Sequence, residues 1–160
     1  MFVPFSISDF IDRAVTVYPD RIGVVDEHLQ PAPSLGTLTY AEMAALARRQ
    51  AARLDELGIG VGERVAIVSH NSARLLTAFF GVAGSGRVPG PGNLPLSPGE
   101  VRVIVRHPGA RMLLVDPEVA DHLAGVEAEF KHVLGDDDAI YAAEGVEPRP
   151  WEPDESATAC

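Results

Sequence analysis

The residue types able to do chemistry are scattered along this chain. His28, His70, His107, His122 and His132 fall in separate predicted elements, without the i, i+3 or i+4 spacing that sets two ligands on one helix face. The single cysteine, Cys160, supplies no thiolate cluster, so no zinc site is expected. Ser69-His70 and Ser72 pair a nucleophile type with a base type. Neighbours on an extended segment point to opposite sides, however, and no nucleophile elbow surrounds them, so capping is the reading. Asp136-Asp137-Asp138 lacks the glycine and distal glutamate of a calcium loop and reads as solvated charge.

Gly81, Gly84 and Gly86 raise the question of a phosphate cradle, but a dinucleotide fingerprint places its glycines between a strand and a helix start. Here Gly84 and Gly86 fall at a predicted helix end, where close packing is the expected role. Gly90-Pro91-Gly92-Asn93 is a second glycine-containing segment, whose backbone is able to approach a ligand held by the rest of the protein.

The elements that position these residues are set by local signals. Ser6 and Asp9 suit the start of a short helix with Phe10, Ala14 and Val17 on one face, stopped by Pro19. Strands are predicted at residues 22–26 and 35–39, joined by a proline-containing loop into an antiparallel hairpin. Thr39 and Glu42 have capping-box spacing, and Met43, Leu46, Ala47, Gln50, Leu54 and Leu57 continue a helix to Gly58. Arg48, Arg49 and Arg53 read as its solvated face.

Residues 64–68 form a continuous apolar strand, followed by Asn71 as N-cap of a helix that ends at Gly84-Ser85-Gly86. Ser97-Pro98-Gly99-Glu100 combines a capping box with proline at the first helical position, and that helix ends near His107-Pro108. A strand at 111–115, a helix beginning at Asp116-Pro117-Glu118 and a strand at 130–134 complete the series. This alternation predicts an α/β fold, with helices packed on a largely parallel sheet after an N-terminal helix and β-hairpin. The expected organisation is an α/β segment over 1–134, then an acidic, proline-rich linker over 135–160 in which Ile140, Tyr141, Val146 and Trp151 are the anchors.

Composition narrows the function classes. A net charge of −10 and a pI near 4.8 leave no broad basic surface for a phosphate backbone, which argues against nucleic acid as a partner. The longest apolar runs are broken well short of the ~20 residues of a membrane span, so an integral membrane protein is not expected. One cysteine and no signal-like N-terminus point to the cytoplasm.

Taken in order, Tyr18-Pro19-Asp20-Arg21, Leu38-Thr39-Tyr40-Ala41-Glu42, Leu57-Gly58-Ile59, Gly62-Glu63-Arg64-Val65-Ala66-Ile67, Asn71-Ser72, Phe80-Gly81-Val82 and Leu96-Ser97-Pro98-Gly99-Glu100-Val101 resemble the N-terminal region of the adenylate-forming (AMP-binding) acyl-CoA synthetase superfamily. The resemblance covers residues 10 to 116, and Trp151-Glu152-Pro153-Asp154-Glu155 resembles the stretch before that family's phosphate loop. It implies an ATP-dependent acid:CoA ligase for fatty or aryl acids, in which a carboxylate and ATP give an acyl-adenylate and a thiol displaces AMP. ATP, magnesium and coenzyme A are the implied cofactors, and a small-molecule carboxylic acid is the implied partner.

The family's phosphate loop, ribose-binding aspartate and C-terminal lysine are expected after Cys160, so no catalytic residue is carried over and the isolated segment is expected to be inactive. Gly92 and Asn93 match a family segment near the acyl and pantetheine channel and are the candidate site residues. Arg87-Val88-Pro89-Gly90-Pro91-Gly92 departs from the family's smooth apolar strand, which is expected to be short, irregular or at an edge here. Two alternatives stay open: a free-standing binding or regulatory module on the same scaffold, and an adenylation domain that loads a carrier protein. Exposed apolar surface is expected to favour self-association.

Overall fold

Two complete capping boxes start the helices that define the layers. Thr39 Oγ1 accepts from the Glu42 N–H at 3.2 Å while the Glu42 carboxylate accepts from the Thr39 N–H at 2.8 Å, and Ser97 and Glu100 repeat the exchange. The structure is a computed structural model and describes residues 6–136 and 138–153. Its elements run α1 (Ser8–Val17), β1 (Ile22–Val25), β2 (Thr37–Thr39), α2 (Tyr40–Glu56), β3 (Arg64–Val68), α3 (Ala73–Ala83), β4 (Val88–Gly92), α4 (Pro98–Arg106), β5 (Met112–Val115), α5 (Pro117–Ala120) and β6 (Phe130–Val133).

β1 and β2 form an antiparallel pair, and the other four strands form an all-parallel sheet in the order β4-β3-β5-β6. Alternate side chains of the central strands feed two cores. Val65, Ile67, Met112 and Leu114 pack with Leu54 of α2 and with Ala78 and Val82 of α3, whereas Ala66, Val68, Leu113 and Val115 pack with Val101 and Val105 of α4. The sheet is thus covered on both faces, as a parallel sheet must be.

β4 pairs in unbroken register with β3 and lies at the sheet edge. The Val88 N–H donates to the Glu63 carbonyl at 2.9 Å. Backbone direction alternates along a strand, so Pro89 and Pro91 turn their donor-less nitrogens toward the open edge and cost the ladder nothing. Arg87 is buried among the carbonyls of Ile59 and Ser85 and the Asp55 carboxylate, which satisfy its charge.

Several expectations are corrected. In α1 the buried residue is Ile11, packed on Met43 and Ala44, while Phe10 and Val17 are exposed; the helix is rotated relative to the face predicted from Phe10, Ala14 and Val17. Both hairpin strands are shorter than predicted, because the loop between them wraps the Asp26 carboxylate, which accepts from the Leu35 N–H and the Gln30 amide. The N-cap of α3 is Ser72, not Asn71, and its hydroxyl accepts from the Leu75 N–H at 3.2 Å.

Arg49 and Arg53 are not a free solvated face. Their Nε atoms donate to the carbonyls of Ala142 and Ala139, holding the chain after β6 against α2. In that stretch Ile140, Tyr141 and Ala142 are buried, the Tyr141 hydroxyl lies 3.0 Å from Thr77 Oγ1, and Trp151 Nε1 donates to the Gly84 carbonyl at 3.0 Å. Asp138 is likewise not merely solvated charge: both its oxygens accept from the buried Arg74 guanidinium, which also donates to the Pro33 carbonyl. Asp137 lies outside the described residues, and Asp136 is exposed.

Candidate functional site at the carboxyl edge of the sheet

A parallel sheet places all its strand-to-helix loops at one edge, and ligands bind where consecutive connections leave in opposite directions. From β3 the chain passes through α3 to β4 on one side, then through α4 to β5 on the other. The crevice therefore opens between the carboxyl ends of β3 and β5. Ser69-His70-Asn71 follows β3, and Asp116-Pro117-Glu118 follows β5.

Register puts these two segments side by side, since Val68 pairs with Val115. His70 Nε2 lies 2.5 Å from Glu118 Oε2, and the His70 N–H points to Asp116 Oδ2 at 3.4 Å. Asp116 is 2% exposed, and its Oδ1 accepts from the Glu118 N–H at 3.0 Å as the cap of α5. One ligand-capable atom from each of His70, Asp116 and Glu118 lies within 4.8 Å of the others. Reading the chain for helical spacing missed this group, because its members sit 46 and 48 residues apart. The available signal was a polar residue directly after each of two apolar strands.

Two depressions flank the crevice and share Glu27 and Asn71. One, of about 510 Å³, is walled by Val24, Val25, Leu75, Leu76, Phe79 and Pro91. The other, of about 730 Å³, is of mixed character and lined by residues including His28, Leu29, Gln30, His70 and Glu118. Asp26 fixes the hairpin beside them. It is 2% exposed and accepts from the Ala73 N–H at the start of α3, 2.8 Å away, as well as from Leu35 and Gln30. Burial pushes the Asp26 carboxyl up. The N–H donors of Ala73 and Leu35, the Gln30 amide and the Arg74 charge together outweigh it, holding the group below the usual aspartate value.

The predicted residues Gly92, the last of β4, and Asn93, directly after it, stand at the same edge, but neither lines these two depressions. A Cβ on Gly92 would come within 3.3 Å of Val68 Cγ2 and 3.4 Å of Ile104 Cδ1, so the glycine lets α4 close on the sheet. Asn93 is exposed, and its carbonyl accepts from the Leu96 N–H in the turn that leads to the Ser97 cap. Gly81 and Gly86 are packing glycines: a Cβ on Gly81 would lie 2.6 Å from Gln50 Oε1 of α2, and one on Gly86 2.6 Å from the Trp151 ring.

Magnesium seeks a near-octahedral shell of oxygens and retains water. The group at the crevice offers a histidine nitrogen and two carboxylates, one of them buried and capping a helix, so it does not fit that ion. Among the described residues no helix is long and apolar enough to cross a membrane. Exposed apolar side chains include Phe10, Ile22, Val25, Leu29 and Val103.

Comparison with known proteins agrees with the architecture. The family described as AMP-binding enzyme matches residues 11–159. The long-chain-fatty-acid–CoA ligase of Thermus thermophilus is 36% identical over 125 residues, covering 78% of this chain and 23% of that protein. The long-chain-fatty-acid–CoA ligase FadD13 of Mycobacterium tuberculosis is 36% identical over 92 residues, covering 58% of this chain and 18% of that one. Among solved structures, a long-chain-fatty-acid–CoA ligase (FadD1) from Archaeoglobus fulgidus shares the fold with a TM-score of 0.83, at 19% identity, over 99% of this chain and 34% of that chain. The chain thus spans less than a quarter of the length of these two sequence relatives. With the parallel sheet, its covering helices and the match over nearly all its residues, this chain belongs to the AMP-binding enzyme family.

Proposed function

We propose that this chain is the N-terminal portion of an ATP-dependent acid:CoA ligase acting on a fatty or aryl carboxylic acid in the cytoplasm. The observation that carries the reading is the 36% identity to a fatty-acid–CoA ligase across 78% of the chain. In this reaction a carboxylate oxygen bonds to the α-phosphorus of ATP as pyrophosphate leaves. The sulfur of coenzyme A then bonds to the acyl carbon as AMP leaves and the thiol proton is released. The segment contributes scaffold, one parallel sheet with its two helical layers, and the groups that grip the triphosphate and magnesium come from the remainder of the enzyme. Gly92 and Asn93 are assigned to the wall of the acyl and pantetheine channel on the family resemblance alone.

The test is acid-dependent exchange of labelled pyrophosphate into ATP, measured on the 160-residue chain and on the full-length ligase, with straight-chain and aryl acids. The full-length protein is expected to exchange and then form a CoA thioester, while the segment alone is inert. Acid-dependent pyrophosphate release by the purified segment would refute the assignment of scaffold only. Failure of the full-length protein with every acid, or transfer to a pantetheinylated carrier in place of coenzyme A, would refute the CoA-ligase reading.

A further inference from the structure

We infer that His70, Asp116 and Glu118 form a binding site for a divalent transition-metal ion of the zinc class, separate from the magnesium that accompanies ATP.

The first observation is geometric. Imidazole nitrogen and carboxylate oxygen bind zinc at about 2.0–2.2 Å, so tetrahedral ligands stand about 3.3–3.5 Å apart. The ligand atoms of the three residues are gathered within 4.8 Å. The His70 and Glu118 atoms, now 2.5 Å apart in a direct hydrogen bond, need to open by about 1 Å to admit the ion. Both side chains are free to do so, being 40% and 57% exposed. Asp116 is anchored, because its backbone N–H donates to the Val68 carbonyl at 2.7 Å and its Oδ1 accepts from the Glu118 N–H.

The second observation concerns charge. Asp116 is almost wholly buried, and among the described residues no arginine or lysine is ion-paired with it. Its Oδ2 receives one long contact, 3.4 Å from the His70 N–H, leaving acceptor capacity on the oxygen beside His70. The other buried carboxylate, Asp26, differs: it accepts three hydrogen bonds at 2.8 Å and feels the charge of Arg74. A buried carboxylate without a cation calls for one, and the atoms beside Asp116 are metal ligands.

One nitrogen and two carboxylate oxygens suit zinc, cobalt or nickel better than magnesium or calcium. Three protein ligands leave a position open toward the depression of about 730 Å³ lined by His70 and Glu118, where His28 also stands. The site lies at the end of two strands that belong to the scaffold, so the ion would lock the β3 and β5 loops together across the crevice.

The test is titration of the tag-free chain, carrying Cys160→Ser to remove the thiol, with Zn²⁺ by calorimetry and with Co²⁺ by visible absorption. One saturable equivalent is expected, with the intense ligand-field bands of low-coordinate cobalt. His70→Ala, at a half-buried position, and Glu118→Gln, at an exposed one, are each expected to weaken binding by about tenfold or more while leaving the metal-free urea midpoint in place. Asp116→Asn alters a nearly buried side chain that also accepts from the Glu118 N–H, so the other two variants decide. Absence of a saturable equivalent, or affinity in both variants equal to that of the unsubstituted chain, would overturn the site. So would a His70 imidazole resonance that Zn²⁺ leaves unmoved.

Discussion

Replacing Asp26 tests how the hairpin is fastened to the sheet. Its carboxylate accepts from Ala73 and Leu35 N–H groups, each at 2.8 Å, and is 2% exposed. Asp26→Ala strands both donors in a site with little water, and each such loss costs about 1–3 kcal/mol, so a destabilisation of about 3 kcal/mol is expected. For a domain of this size that corresponds to a fall of about 6–12 °C in melting temperature. Asp26→Asn keeps one acceptor oxygen and is expected to lose about half as much. The pH dependence supplies a second reading. The folded carboxyl is held below its unfolded value, so its contribution is fully present above about pH 4 and is lost as pH falls through the folded pKa. Urea denaturation followed by far-UV circular dichroism, between pH 7 and pH 3, measures both. The gap between wild type and Asp26→Asn should narrow below pH 4. A constant gap across that range, or an alanine variant as stable as wild type, would refute the fastening role.

Gly81→Ala is expected to lower stability by about 1–3 kcal/mol, because its methyl would meet Gln50 Oε1 at 2.6 Å and the Ala47 carbonyl at 2.9 Å; urea melts check it. Gly86→Ala puts a methyl into the Trp151 ring at a residue with φ of +76°, so emission from the chain's one tryptophan should shift to the red while far-UV dichroism is retained. Tyr141→Phe removes the hydroxyl partner of Thr77 and should cost about 1 kcal/mol near neutral pH. Burial holds the Tyr141 phenol above its ordinary value of 10, so in wild type the contribution of the neutral phenol is complete below pH 10 and declines above it. The phenylalanine variant should lack that alkaline decline.

The elements were largely legible because their signals are short-range. A capping box closes within three residues, and both boxes, at Thr39 and Ser97, are present as expected. The buried strand at Arg64–Val68 was equally plain, since a strand covered on both faces carries an unbroken apolar run. Failures came where a distant partner decides. Asn71 and Ser72 are both competent caps, and the choice fell to Ser72 where Asp26, 47 residues earlier, takes the Ala73 N–H. The same holds for Arg74 and Asp138, which are 64 residues apart and each unremarkable in its own segment.

Local order, then, was written into the chain: which stretches coil, which extend, where α2 and α4 start, and through the ordered motif blocks the family to which the residues belong. Folding in three dimensions chose the neighbours. Strand order and register placed Val68 against Val115, and that pairing brings His70 to Asp116 and Glu118 at the crevice while leaving Gly92 beneath α4. The physical reason is that hydrogen bonds inside a helix turn or a cap depend on residues a few positions away. The partner of a strand edge or of a buried charge depends instead on how whole layers stack, and no short window of sequence contains that choice.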